Sequence, residues 1–213
     1  MIITSLEKTG RGRYSIFLDG ASAPSFALYA ADLKELDLRE GSEISPSVLE
    51  RIEKEILVKR GLLRAGHLIE RRDYTEAQIR DKLRAGFYPQ VSIELIIKRL
   101  RELKFLNDDS YAERYTECYI DRKSIGRIKQ DLFRKGINKD VIEAAVEKVK
   151  AEHSAEGDEY SEAGKIRELL NKRGYDPLTA DRTTREKNIA FLLRKGFSFS
   201  DIRKVIREAD ELT

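Results

Sequence analysis

Two kinds of hydrophobic spacing divide the chain. Over residues 1–45 the apolar positions come in short runs: Ile2-Ile3, then Tyr14-Ser15-Ile16-Phe17-Leu18, then Ser25-Phe26-Ala27-Leu28. These β-branched and aromatic runs are bounded by turn signals at Lys8–Gly12 and Asp19-Gly20, and they predict two or three short strands. One or two helical turns should follow over Ala30–Leu36. So few strands cannot enclose a core alone, so this module must pack on the next helix or on a partner. From Pro46 the apolar residues recur every three or four positions, the helical period. Pro46 suits a first helical position, and Val48, Ile52, Ile56 and Lys59 mark one face. Gly61 and Gly66 would bend one helix or separate two.

The clearest helical signals lie in residues 74–110. Thr75 followed by Gln78 is a capping-box pattern. Ile79 and Leu83 share a helix face, and Gly86 marks a stop. Ile93, Ile96, Ile97, Leu100 and Leu103 define a second helix, and Asn107-Asp108-Asp109-Ser110 offers caps for a third, containing Tyr111, Ala112 and Tyr115.

Part of this pattern recurs. KLRAGF (82–87), LFRKGI (132–137) and LLRKGF (192–197) superpose on the glycines Gly86, Gly136 and Gly196. An apolar residue stands three before each (Leu83, Phe133, Leu193), and an arginine two before (Arg84, Arg134, Arg194). The following helix has apolar positions 6, 9 and 10 residues after the glycine in the second and third copies, and 7, 10 and 11 in the first. One inserted residue in Tyr88-Pro89-Gln90 would explain the difference. The expected architecture is mainly α: an elongated, curved array of tandem three-helix units behind a small β-containing module. Its expected divisions are 1–45, 46–122, 123–174 and 180–213. In this division the helix from Ala163 to Lys172 completes the second unit. The acidic stretch Glu152–Glu162 is a loop, Tyr175–Thr179 is a linker, and the third unit lacks its last helix.

Composition narrows the chemistry. The chain has 213 residues, 40% apolar and 37% charged, with 41 basic against 38 acidic side chains. Residues 1–45 carry a net −2, so the +3 of the whole arises from a net +5 in the helical part. That balance permits contact with nucleic acid without requiring it. Cys118, the single cysteine, excludes a disulfide framework, and Tyr115 and Tyr119 beside it suggest a thiol in or near the core. No 18-residue apolar run is present, and the N-terminus has no basic segment leading an apolar one, so a cytoplasmic protein is expected.

No catalytic constellation stands out. HExxH, GxSxG, paired CxxC and GxxxxGK[ST] are all missing from the sequence, and the two histidines, His67 and His153, have no metal-binding company. The carboxylate pairs Asp108-Asp109 and Asp158-Glu159 fit a helix cap and a loop. The glycines fit helix stops, with the preceding cations suited to the negative end of the helix dipole. Recognition remains. The recurring arginines would form a basic stripe or merely a solvated face. Tyr74, Tyr88, Tyr111, Tyr115 and Tyr119 would stack on bases if exposed, or lie in helix–helix contacts. Direct DNA or RNA binding and protein scaffolding both stay open.

ERRDYTEAQIRDKL (70–83), LKFLNDDSYAERY (103–115), KSIGRIKQDLFRKGI (123–137) and LLRKGFSFSDIRKVI (192–206) together resemble the RecX family of regulators of the RecA recombinase. RYSIFLDG resembles an N-terminal extension found in part of that family. The resemblance implies a non-enzymatic protein without cofactor or metal, expected to be monomeric. It would bind in the groove of the RecA–single-stranded DNA filament and inhibit its ATPase, strand exchange and coprotease activities. Single-stranded DNA, and double-stranded DNA as a further ligand, would bind more weakly. On this resemblance Gly86, Gly126, Gly136 and Gly196 are structural signatures, Gly126 allowing close helix approach. Arg84, Lys98, Arg99, Arg127, Lys129, Arg134, Lys135, Arg194 and Lys195 are the candidate filament or DNA contacts.

Overall fold

Ile3, Ile16, Leu18, Phe26 and Leu28 give the N-terminal strands a buried apolar face. In the computed structural model, which describes residues 1–155, 161–176 and 179–211, strands β1 (Ile3–Gly10), β2 (Arg13–Leu18) and β3 (Phe26–Tyr29) form an antiparallel sheet in that order. Ile3, Ile16, Leu18, Phe26 and Leu28 pack with Leu33 of helix α1 (Ala30–Glu35), with Ile44, and with Ile52 and Leu57 of the helix that follows. The sheet therefore borrows the apolar face it lacks from its own chain. That helix begins as α2 (Pro46–Arg51), where Ser45 Oγ accepts from Val48 N at 3.3 Å and Pro46 occupies the first turn. It passes through a π-helical turn at Ile52–Ile56 into α3 (Leu57–Ile69). Gly61 and Gly66 lie inside α3 and break nothing; the irregularity is the π turn before them.

The chain falls into two units, Met1–Asn107 and Asp108–Thr213. The first is completed by α4 (Glu76–Arg84) and α5 (Gln90–Glu102). Thr75 and Gln78 form the expected capping box at the start of α4. Ala65 of α3, Ile79 and Leu83 of α4, and Ile93, Ile96, Ile97 and Leu100 of α5 share one core. The second unit contains α6 (Asp108–Tyr119), α7 (Ile125–Arg134), α8 (Lys139–Ala155), α9 (Glu162–Lys172), α10 (Arg182–Arg194) and α11 (Phe199–Glu211). Here α6, α7 and α8 share a core built on Ala112, Ile128, Leu132, Ile142 and Val146. A separate core, with Ile166, Leu170, Leu192, Phe197, Ile202 and Ile206, joins α9, α10 and α11.

These cores group the helices differently from the expected units. Helix α6 shares its core with α7 and α8, and α9 shares its core with α10 and α11. The glycine-stopped hairpin is thus the second and third helix of each group, and the last group has its three helices. The acidic stretch is partly helical, since α8 continues through Ala155; residues 156–160, with Asp158 and Glu159, lie outside the described residues, as do 177 and 178 of the linker.

The repeat register also shifts by one. The left-handed residue that ends the first helix is Gly136 (φ +82°) in one hairpin and Gly196 (φ +88°) in another, but Phe87 (φ +56°), not Gly86, in α4–α5. In each case the next N–H closes back on a buried leucine carbonyl: Tyr88 on Leu83, Ile137 on Leu132, Phe197 on Leu192. Counted from Phe87, Gly136 and Gly196, the buried positions fall 6, 9 and 10 residues on in all three copies, with no insertion. Phe133 (68% exposed) and Leu193 (45%) are therefore counterparts of Arg84 and not of buried Leu83.

Cys118 is exposed, contrary to expectation. The buried stripe of α6 runs through Ala112 and Thr116 to Ile120 just past its end, and a residue two places from Thr116 points away from it. Tyr115 and Tyr119 flank that stripe, half-buried.

Candidate functional site

A backbone contact within the second unit builds a concave site. Ser124 caps α7: its Oγ accepts from Arg127 N at 3.2 Å and donates to Lys195 O at 2.7 Å, at the α10–α11 turn. Only glycine fits the contact beside it. A Cβ on Gly126 would collide with Gly196 O, and one on Gly196 would sit 2.7 Å from Arg127 N. Between the two elements lies a cleft of about 470 Å³, lined by Arg122, Lys123, Ser124, Arg127, Leu169, Phe191, Arg194, Lys195 and Phe197.

Helix α9 closes the same corner from behind. Lys165 Nζ donates to Ile120 O and, at 3.1 Å, to Lys123 O, while the Glu162 carboxylate accepts from Ile125 N at 3.1 Å. Burial pulls the Lys165 ammonium down, although the charges of Glu162 and Asp121 oppose it. Burial pushes the Glu162 carboxyl up, against the pull of the Ile125 N–H.

Some of the cleft's cations are already engaged. Lys123 Nζ lies 2.9 Å from Asp131 Oδ2 and 2.9 Å from Tyr115 Oη, and 3.8 Å from the centre of the Tyr119 ring. Arg127 Nε is 3.2 Å from Asp131 Oδ1. Burial alone would raise Asp131, but hydrogen bonds from Lys123 and Tyr115 and the nearby positive charges hold it below the usual carboxylate range. Burial likewise opposes the charge on Lys123, and its bonds to Tyr115 and Asp131 outweigh that and raise it. Arg122 and Arg194 are exposed and have no acidic partner among the described residues. No lining residue is acidic.

The aromatic faces nearby are occupied. Tyr111, Tyr115 and Tyr119 form a ladder along α6, with ring centres 6.4 and 4.6 Å apart. Lys123 covers Tyr119, and Lys135 lies 5.5 Å from the rings of both Tyr111 and Tyr115. Arg173 lies 4.3 Å from the centre of Phe191.

Of the nine contacts expected from sequence, the cleft brings together Arg127, Arg194 and Lys195. Lys129 pairs with Glu143 across α7 and α8, Arg134 is exposed at the end of α7, and Lys135 faces the tyrosine ladder. Arg84, Lys98 and Arg99 belong to the first unit. Arg84 pairs with Asp81 at 3.0 Å and Arg99 with Glu102 at 3.0 Å, while Lys98 is exposed on α5. Arg122, Lys123, Leu169 and Phe191 escaped the sequence reading. The Arg122-Lys123 pair directly before a Ser helix cap is the signal that could have found the first two. Among the described residues no group of three or more His, Cys, Asp or Glu could hold a metal ion, and no helix is long and apolar enough to cross a membrane.

Comparison with known proteins matches the geometry to a family. Residues 107–146 match the RecX second three-helix domain, and residues 161–206 match the RecX third three-helix domain. The chain is 32% identical over 215 residues to the regulatory protein RecX of Clostridium botulinum (strain Eklund 17B / Type B), covering 97% of this chain and 95% of that one. The chain belongs to the RecX family. The regulatory protein RecX of Listeria monocytogenes serotype 4b (strain CLIP80459) is 28% identical over 203 residues, covering 94% of this chain and 72% of the relative. A crystal structure of a regulatory protein RecX superposes with a TM-score of 0.58 at 28% identity, over 96% of this chain and 98% of that one. The crystal structure of RecX from Lactobacillus salivarius gives 0.56 at 26% identity, over 72% of this chain and 97% of the other. The mainly helical fold of three-helix groups with a small N-terminal sheet is that of a RecX protein. The match to the third RecX domain begins at residue 161 and so takes in α9, as the buried core does.

Proposed function

We propose that this chain regulates a RecA recombinase by binding the RecA–single-stranded DNA filament and restraining its ATP hydrolysis, strand exchange and coprotease activity. RecX membership along nearly the whole length of the chain carries this reading. The basic cleft supports it, because a rim of cations with an apolar floor suits a protein surface of opposite charge. Direct DNA binding is a second reading, favoured by the guanidinium groups of Arg122 and Arg194, which have no acidic partner among the described residues.

DNA-dependent ATP hydrolysis by RecA separates the two. A filament regulator inhibits when substoichiometric to RecA and keeps inhibiting when single-stranded DNA is in large excess. A DNA-binding competitor loses its effect as DNA is added. Absence of inhibition at stoichiometric protein, with no binding to the preformed filament, would remove the first reading.

A further inference from the structure

We propose that the cleft of the second unit receives an acidic peptide segment of the protein partner, anchored by an apolar side chain. This rests on reading the chain as a filament regulator, and it names what on the partner is recognised.

The rim and floor call for different halves of such a segment. Arg122 and Arg194 reach the cleft from its two sides with no acidic partner among the described residues, and no carboxylate lines it. A planar guanidinium binds a carboxylate through two parallel hydrogen bonds, so two such groups favour two acidic side chains. Between them Leu169, Phe191 and Phe197 make the floor apolar. At about 470 Å³ the cleft falls inside the range, roughly 300–1,000 Å³, of sites that enclose a specific ligand. It is also preformed. The Gly126–Gly196 backbone contact and the Ser124 bridge hold both walls, so little ordering is left to oppose binding.

Single-stranded nucleic acid fits the same walls less well. Proteins that hold it combine a cationic track with free aromatic faces on which bases stack. Here Arg173 lies over Phe191, and the tyrosine ladder is covered by Lys123 and Lys135. Lys123 and Arg127 are committed to Asp131. What remains is Arg122, Arg194 and Lys195, without a carboxylate partner among the described residues, around an apolar floor, which matches carboxylates flanking an aliphatic side chain.

The test uses the full-length protein with both exposed arginines reversed, R122E/R194E, beside the neutral R122Q/R194Q and the floor variant L169A. Affinity is measured by fluorescence anisotropy for the preformed RecA–single-stranded DNA filament and for bare single-stranded DNA, with thermal unfolding as the control for folding. The expected result is at least tenfold weaker filament binding for R122E/R194E, a smaller loss for R122Q/R194Q, and about threefold for L169A. Bare-DNA affinity should change less than the filament affinity in each variant. Equal losses for bare DNA and filament would make the cleft a nucleic-acid site and overturn the proposal. Unchanged filament binding by folded R122E/R194E would overturn it too, while leaving the regulatory reading intact. Failure of the wild-type protein to bind the filament would overturn the regulatory reading itself, and this inference with it.

Discussion

The α4–α5 hairpin of the first unit and the cleft of the second both carry several arginines, yet they use them differently. In the first, Arg80 bonds Glu76 at 2.9 Å and Glu94 at 2.7 Å, Arg101 bonds Glu76 at 2.6 Å, and Arg84 and Arg99 have their own carboxylates. In the second, Asp131 absorbs Lys123 and Arg127, and nothing among the described residues absorbs Arg122 or Arg194. A basic residue that the fold leaves without a carboxylate meets a partner without first giving up an ion pair. Its place in a repeat does not decide that. The two regions also make the same turn by different means. Phe87 takes the left-handed conformation in α4–α5, while Gly196 must be glycine for a second reason, the seat it provides for α7.

That second reason gives the largest expected effect. G126A places a methyl group against the Gly196 carbonyl, backbone that no side-chain rotation relieves. A cost of about 3 kcal/mol or more is expected, at the upper end of overpacking effects. The thermal unfolding midpoint should fall by roughly 6–12 °C if the protein unfolds as one transition. G174A is the comparison: its φ is +65° and nothing lies within 4 Å of an added Cβ, so only backbone strain, about 1 kcal/mol, is expected. Equal losses in the two variants would mean that the α7 seat tolerates a side chain.

Removing the Ser124 hydroxyl should cost less. S124A deletes both the cap of α7 and the bond to Lys195 O, with an expected loss of about 1–2 kcal/mol by denaturant unfolding. Its counterpart in the first unit, T75A, deletes the matching cap, in which Thr75 Oγ1 accepts from Gln78 N at 3.3 Å. T75A should likewise lower stability, by about 1 kcal/mol for the lost cap.

A still smaller effect is expected with pH. The folded-state pKa of Asp131 lies below its ordinary value of 3.8, so its ion pairs stabilise the fold above that value and the contribution is lost as pH falls through the folded pKa. D131N should therefore lower stability at neutral pH and flatten the decline of stability below about pH 4. Parallel acid-unfolding curves for wild type and D131N would contradict this.

How much of this could be seen in the residues alone differs between fold and site. The strand runs, the start at Pro46 and the Thr75–Gln78 box depend on neighbours in sequence, and all are present in the structure. The grouping of helices was less legible. Alignment on glycine puts the first hairpin out of register, because Phe87 occupies the left-handed position that glycine takes elsewhere. Helix α9 is assigned to the wrong neighbour by sequence order because its partners, α10 and α11, follow a linker, and burial rather than proximity in sequence places it. The cleft was least legible. Its walls meet through Ser124 and Lys195, 71 residues apart, and the pairing of Lys129, Arg84 and Arg99 with carboxylates is set by side-chain geometry.

The arginines themselves should matter least for stability, being exposed, and most for binding. The comparison between regions is tested most directly by measuring affinity for the RecA–single-stranded DNA filament with two matched double reversals, R122E/R194E in the cleft and R84E/R99E on the paired surface of the first unit. A loss of at least tenfold for the cleft variant, with less than threefold for the other, is the predicted result. Equal losses, or a larger loss for R84E/R99E, would contradict the claim that unpaired cations of the second unit form the binding surface.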